Sequence, residues 1–129
     1  AGKDTVIATS TVYSTGYVTT ITDIAVGDKI DFLAASTSGT AAAIGAKVTL
    51  GSTVTTLAAA LDAAANSGGT SGAEINWFQY GGNTYLYSDL PTAGPVSGTL
   101  DATDNIVKIT GLVDLTGSAF TTGAVVTVA

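Results

Sequence analysis

Short stretches of alternating apolar and polar residues dominate this chain, and a period of two marks a strand with one buried face. Asp4-Thr5-Val6-Ile7-Ala8, residues 17–22 and residues 29–33 follow the pattern and are rich in β-branched side chains. Val26-Gly27-Asp28 supplies a turn between the second and third of these. Residues 34–45, rich in Ala, Ser, Thr and Gly, read as a loop, and residues 46–50 as a further strand. The period then changes. Val54, Leu57, Leu61 and Ala65 recur at helical spacing, with Asp62 pointing away, which predicts a helix over 55–66. Ser52 or Thr53 is placed to cap it, and Asn66-Ser67-Gly68-Gly69 to end it. The stripe is narrow and Ala-rich, so the helix is expected to lie close on a sheet.

A hairpin follows. Residues 74–80 and 83–89 flank Gly81-Gly82, a two-residue turn that tolerates positive φ at both positions. In that register Phe78 lies opposite Tyr85, and Trp77 opposite Leu86. Trp77 and Phe78 point to opposite faces, so both faces carry apolar residues and one is expected to receive the helix. Pro91 and Pro95 bracket a loop, and residues 106–112 and 124–128 read as the last strands. The predicted fold is mainly β: short strands, forming the end of a β-roll or a β-sandwich-like unit, with one helix packed on the sheet. No convincing internal repeat stands out.

Composition narrows the functions. The chain has 129 residues and a formal net charge of −6, with Lys3, Lys29, Lys47 and Lys108 the only cations. That length suffices for one domain with its own core. Nucleic-acid binding needs basic residues to displace phosphate counterions, so it is excluded, and anionic membranes are disfavoured for the same reason. No run approaches the ~20 apolar residues of a membrane helix, so membrane insertion is not expected. Cys, His, Met and Arg are all lacking from the sequence. Disulfides, thiolate chemistry and the usual proton shuttle near neutral pH go with them. A Ser or Thr nucleophile would need Lys or a carboxylate as its base, and no Ser-x-x-Lys motif occurs. An enzyme is therefore not expected. Charged residues are only 11%, against ~25% in an ordinary globular chain. The polar surface is built from hydroxyls instead, which suits packing against further copies of the chain.

Few constellations carry chemistry. Asp28 and Asp31 are three apart beside a strand and face opposite sides, which argues against a shared acid–base site. Asp23 and Asp28 could hold calcium across the intervening turn, and ordinary turn chemistry also accounts for both. Asp101-Ala102-Thr103-Asp104-Asn105 clusters oxygen side chains but lacks the spacing and closing Glu of an EF-hand; it reads as a capped turn before a strand. Trp77, Tyr80, Tyr85 and Tyr87 could make a sugar-stacking platform, although cross-strand core pairs explain them better.

Several blocks, taken in order, carry a resemblance. They are Gly2-Lys3-Asp4-Thr5-Val6-Ile7, Ile21-Thr22-Asp23-Ile24 and Gly27-Asp28-Lys29-Ile30-Asp31-Phe32. Lys47-Val48-Thr49-Leu50-Gly51, the stretch from Trp77 through Gly81-Gly82 to Tyr85, and Ile106 to Thr116 follow. Together the chain resembles the C-terminal region of type I-secreted bacterial surface-layer proteins with calcium-binding repeats of the repeats-in-toxin type. The resemblance implies a structural protein at the extracellular bacterial cell surface. Residues 1–33 would be the degenerate end of a calcium β-roll with linker strands, and residues 34–129 the C-terminal surface-layer and secretion domain, the two possible as one continuous unit. It implies an uncleaved export signal read by a type I ABC secretion apparatus, here placed on Gly117, Ala124, Val125, Val126, Val128 and Ala129. Calcium would bind at Asp4, Asp23 and Asp28, and the partners would be further copies in a lattice or oligomer. No intact Gly-Gly-x-Gly-x-Asp repeat occurs, so any complete roll is expected upstream of these residues. The alternative is a carbohydrate- or partner-binding module of a secreted adhesin or hydrolase.

Overall fold

Most strands and the helix form where the periodicities place them in the computed structural model, which describes residues 2–8, 19–32, 44–67, 74–89, 105–121 and 125–129. These residues make β1 (Thr5–Ile7), β2 (Thr19–Ile21), β3 (Lys29–Asp31), β4 (Ile44–Lys47), α1 (Leu57–Ser67), β5 (Glu74–Tyr80), β6 (Asn83–Asp89), β7 (Asn105–Ile109), β8 (Ala119–Thr121) and β9 (Val125–Thr127). The fold is mainly β. A four-stranded sheet has the order β1-β3-β9-β8, and a five-stranded sheet the order β2-β7-β6-β5-β4.

The topology begins as a coil. β1 runs parallel to β3, with Val6 beside Ile30. Between them in sequence, β2 belongs to the other sheet, where it runs parallel to β7. Parallel neighbours cannot be joined by a tight turn; here the chain crosses to the second sheet and returns. β7 and β8 repeat the passage from β2 to β3, and β9 enters antiparallel between β3 and β8. The helix and hairpin are thus an excursion between two passages of one winding.

This corrects the expectation that the chain holds no repeat. Ile21 lies beside Ile109, and a Thr follows each. A glycine with positive φ then turns the chain, Gly27 at 94° and Gly117 at 84°. The next N–H donates three residues back in both, Asp28 to Ala25 and Ser118 to Leu115, each at 3.0 Å. Val126 is flanked by Ile30 on one side and Phe120 on the other. The two loops differ in length and share few identities, so sequence comparison does not reveal them.

Burial produces three layers. Ile30, Phe32 and Val126 of the four-stranded layer meet Ile21, Trp77, Leu86 and Ile109 of the five-stranded sheet. On that sheet's other face, Phe78, Tyr85, Tyr87 and Ile106 pack against Ala60, Leu61, Ala64 and Ala65 of α1. A sheet covered on both faces needs apolar side chains at successive positions, which is what β5 to β7 carry. The hairpin pairs as predicted, Phe78 with Tyr85 and Trp77 with Leu86. The Phe78 and Tyr85 rings stack with centroids 5.3 Å apart. Residues from both sides of position 33 share the inter-sheet core.

Local details differ from expectation. Thr56, not Ser52 or Thr53, caps α1, its Oγ1 accepting the Ala59 N–H at 3.2 Å. β4 starts at Ile44, set by pairing with Ile75. The strand predicted over 106–112 stops at Ile109, because Gly111 turns the chain with φ 95°. β8 was not predicted; three residues are too few to show a period.

Candidate functional site

The passage from β1 to β3 brings the three aspartates of the expected calcium site together. Asp4, Asp23 and Asp28 all line one cavity of about 200 Å³, with Val6, Ile21 and Lys29 also on its wall. The cavity lies between β1 and β2, the end strands of the two sheets. Asp4 and Asp23 are exposed, and Asp28 is buried.

Asp28 has a structural duty. Its Oδ1 accepts the Asp4 N–H at 3.0 Å and its Oδ2 accepts the Ala25 N–H at 2.8 Å. The Asp4 N–H, followed by the Ala25 N–H, holds the Asp28 carboxyl below the usual carboxylate range. One side chain therefore joins the start of β1 to the turn before β3. Each oxygen keeps acceptor capacity beyond these bonds, so a cation at Asp28 would share it with the backbone. Among the described residues no group of three or more His, Cys, Asp or Glu is arranged to hold a metal ion. The aspartates share a cavity without converging on one point. Asp31 sits within β3, away from the turn that holds Asp28.

The tail residues form part of the fold. Gly117 makes the turn before β8. Val125 and Val126 belong to β9, between β3 and β8. Val126 and Val128 are buried, and Ala129 is exposed. Ala124 lies outside the described residues.

The hairpin aromatics offer no stacking platform. Trp77, Phe78, Tyr85 and Tyr87 are buried, and Tyr80 is half-buried against the helix-side core. Burial raises the Tyr85 pKa, with Tyr80 adding to the effect. The Lys47 ammonium lies 5.6 Å from the Trp77 ring centroid and donates to Gln79 Oε1, clamping β4 over β5.

Sequence reasoning missed interior polar residues, Thr84 and Ser118 among them. Thr84 is fully buried; its Oγ1 accepts the Val113 N–H at 2.8 Å and donates to the Gly111 carbonyl at 3.0 Å. This ties the hairpin tip to the loop after β7. Ser118 is also buried, and its Oγ accepts the Ala129 N–H at 3.2 Å. Neither lies in a motif; only their place in a buried register identifies them. Among the described residues no helix is long and apolar enough to cross a membrane. No protein-family model matches the chain, and no curated protein matches it.

Proposed function

We propose that this chain is a structural, non-catalytic module of a secreted bacterial surface protein of the surface-layer type, and that its last strand carries export information. The observation that carries this reading is the coil β1–β2–β3. Its parallel stacking is what the end of a β-roll requires, and it falls on the residues that resemble a roll remnant. Among the described residues, β1 and β2 each have a ladder partner on one side alone. A roll end left this way needs covering. The module would cover it, or join it to neighbouring copies at the cell surface.

The position of β9 supports a signal read before folding. Val126 is fully buried between Ile30 and Phe120, so a type I apparatus would meet this tail on the unfolded chain. Folding outside the cell would then place β9 in the sheet, with calcium at Asp4, Asp23 and Asp28 as an aid.

Export itself is the test. Residues 28–129 are fused to a small reporter, with and without residues 117–129, in a host carrying a type I apparatus. Reporter in the medium with the tail intact, and retained without it, is the expected result. Retention of both fusions overturns the export role.

A further inference from the structure

The four-stranded sheet has a second face. Ile30 and Val126 point into the inter-sheet core, and Val6 and Phe120 pack against it. Side chains alternate along a strand, so the neighbours of these residues point the other way: Ile7 on β1, Lys29 and Asp31 on β3, Val125 on β9. The Lys29 N–H donates to the Asp4 carbonyl at 2.8 Å. That puts its main chain beside the aspartate cavity, while its side chain follows the alternation outward. In register, Asp31 stands between Ile7 and Val125, and Lys29 between Thr5 and Thr127. The two opposite charges thus sit on one strand of this face, with uncharged residues on either side.

Two features mark the face as a contact surface. Ile7 is 51% exposed, a large apolar side chain left in water. The Asp31 Oδ1 is buried without a hydrogen-bond partner. A carboxylate oxygen removed from water and left unmatched is costly. Asp31 is half-buried in the single chain, so part of its desolvation cost is already incurred. A cation brought to this carboxylate therefore gains more attraction than it would at a fully solvated one.

The face itself supplies that cation. Lys29 is exposed and lies two residues from Asp31. A two-fold axis in the contact plane, running across the strands at the level of Ile30, lays β3 antiparallel over β3 of a second copy. Lys29 then meets Asp31 of the second copy, and Asp31 meets its Lys29. Such an isologous contact uses one patch twice.

We propose that the outer face of the four-stranded sheet pairs with the same face of a second copy through reciprocal Lys29–Asp31 ion pairs. Opposite charges at exchanging positions make the face complementary to itself. Four short strands offer a small patch beside the ~800 Å² per partner of a standard interface. The pairing is weak, which suits a contact repeated across an assembly. This inference rests on the reading of a module that joins neighbouring copies, and it is independent of the export tail.

The test uses the whole chain in analytical ultracentrifugation. Wild type is expected to form a reversible dimer as concentration rises toward ~1 mM, the range of weak association. The dimer should be lost as ionic strength rises from ~0.01 to ~1 M. Lys29→Asp and Asp31→Lys should each weaken it roughly tenfold or more, because like charges then face each other. An equimolar mixture of the two variants should recover association as a heterodimer. One variant carries two carboxylates on the face and the other two ammonium groups, and a merely structural role for either residue would not give that recovery. Lys29 and Ile7 are exposed, so Lys29→Asp and Ile7→Ser keep the test open if Asp31→Lys misfolds; both should weaken association. A chain that stays monomeric at ~1 mM and low salt overturns the proposal. Association unchanged in Lys29→Asp overturns it too, because copies then meet through another face while the reading of a joining module stands. Neither result touches the export role, which the reporter fusion decides.

Discussion

The passage from β2 to β3 and the passage from β7 to β8 follow the same path with different chemistry. In the first, the Asp28 carboxylate accepts two backbone N–H groups, from Asp4 and Ala25. In the second, the neutral Ser118 hydroxyl accepts one, from Ala129, at 3.2 Å. A bond to an ionised acceptor is shorter and stronger than its neutral counterpart. β3 is paired on both sides, by β1 and β9, whereas β8 is paired only with β9 among the described residues. Ile30 is fully buried, and its counterpart Phe120 is half-buried. The first passage is an interior element. The second is peripheral, and its polar contact reaches the last residue of the sequence.

Core truncation should break this comparison most strongly. Ile30→Ala removes a fully buried side chain and is expected to cost about 2–5 kcal/mol. Phe120→Ala removes more atoms but from a half-buried position, and should cost less than Ile30→Ala in urea unfolding. The reverse order would mean that β8, not β3, is the interior strand of the pair.

The two turn glycines come next. Gly27→Ala and Gly117→Ala force a Cβ onto φ of 94° and 84°, which costs roughly 1–2 kcal/mol. A Cβ at Gly27 would also meet the Lys3 Cε at 3.0 Å, the end of a flexible side chain that can move aside. Near-equal losses of stability are therefore expected, and would sharpen the repeat. A tolerated change at one glycine alone would deny that the two turns are equivalent.

The polar anchors should show the smallest effects, and they separate by pH. Ser118→Ala is expected to cost about 0.5–1.5 kcal/mol at any pH. Asp28→Asn should cost more at neutral pH and should change the acid limb. The two N–H donors hold the Asp28 carboxyl low in the fold. Its support is therefore complete above the unfolded-state pKa near ~4 and is withdrawn as pH falls through the lower folded value. Urea midpoints measured from neutral pH down to acid should converge for wild type and Asp28→Asn, while the Ser118→Ala offset stays constant. A constant offset for Asp28→Asn would remove the charge from the explanation.

Much of the secondary structure was legible from local pattern. The Gly81-Gly82 turn specified the hairpin register residue by residue, because a two-residue turn leaves one pairing open. The stripe through Leu57, Leu61 and Ala65 placed the helix, and the opposed Trp77 and Phe78 foretold a sheet covered on both faces. The candidate site was legible in part. Its aspartates do line one cavity, and turn chemistry for Asp28 is met by the Ala25 N–H, but nothing local indicated that its other oxygen would accept the distant Asp4 N–H. Nor did Thr84 or Ser118 stand out, since a buried polar residue looks in sequence like a solvated one.

The sequence by itself determined most of the strands, the hairpin and the helix. Each of these depends on residue types, or on neighbours within a few positions. Tertiary structure alone decided how the strands divide between two sheets, that β1, β2 and β3 coil in parallel, and that β9 closes between β3 and β8. Those outcomes rest on pairings between residues far apart in the chain, such as Ile21 with Ile109 and Ile30 with Val126. Such partners are chosen by the burial of whole faces, and no short pattern encodes that choice.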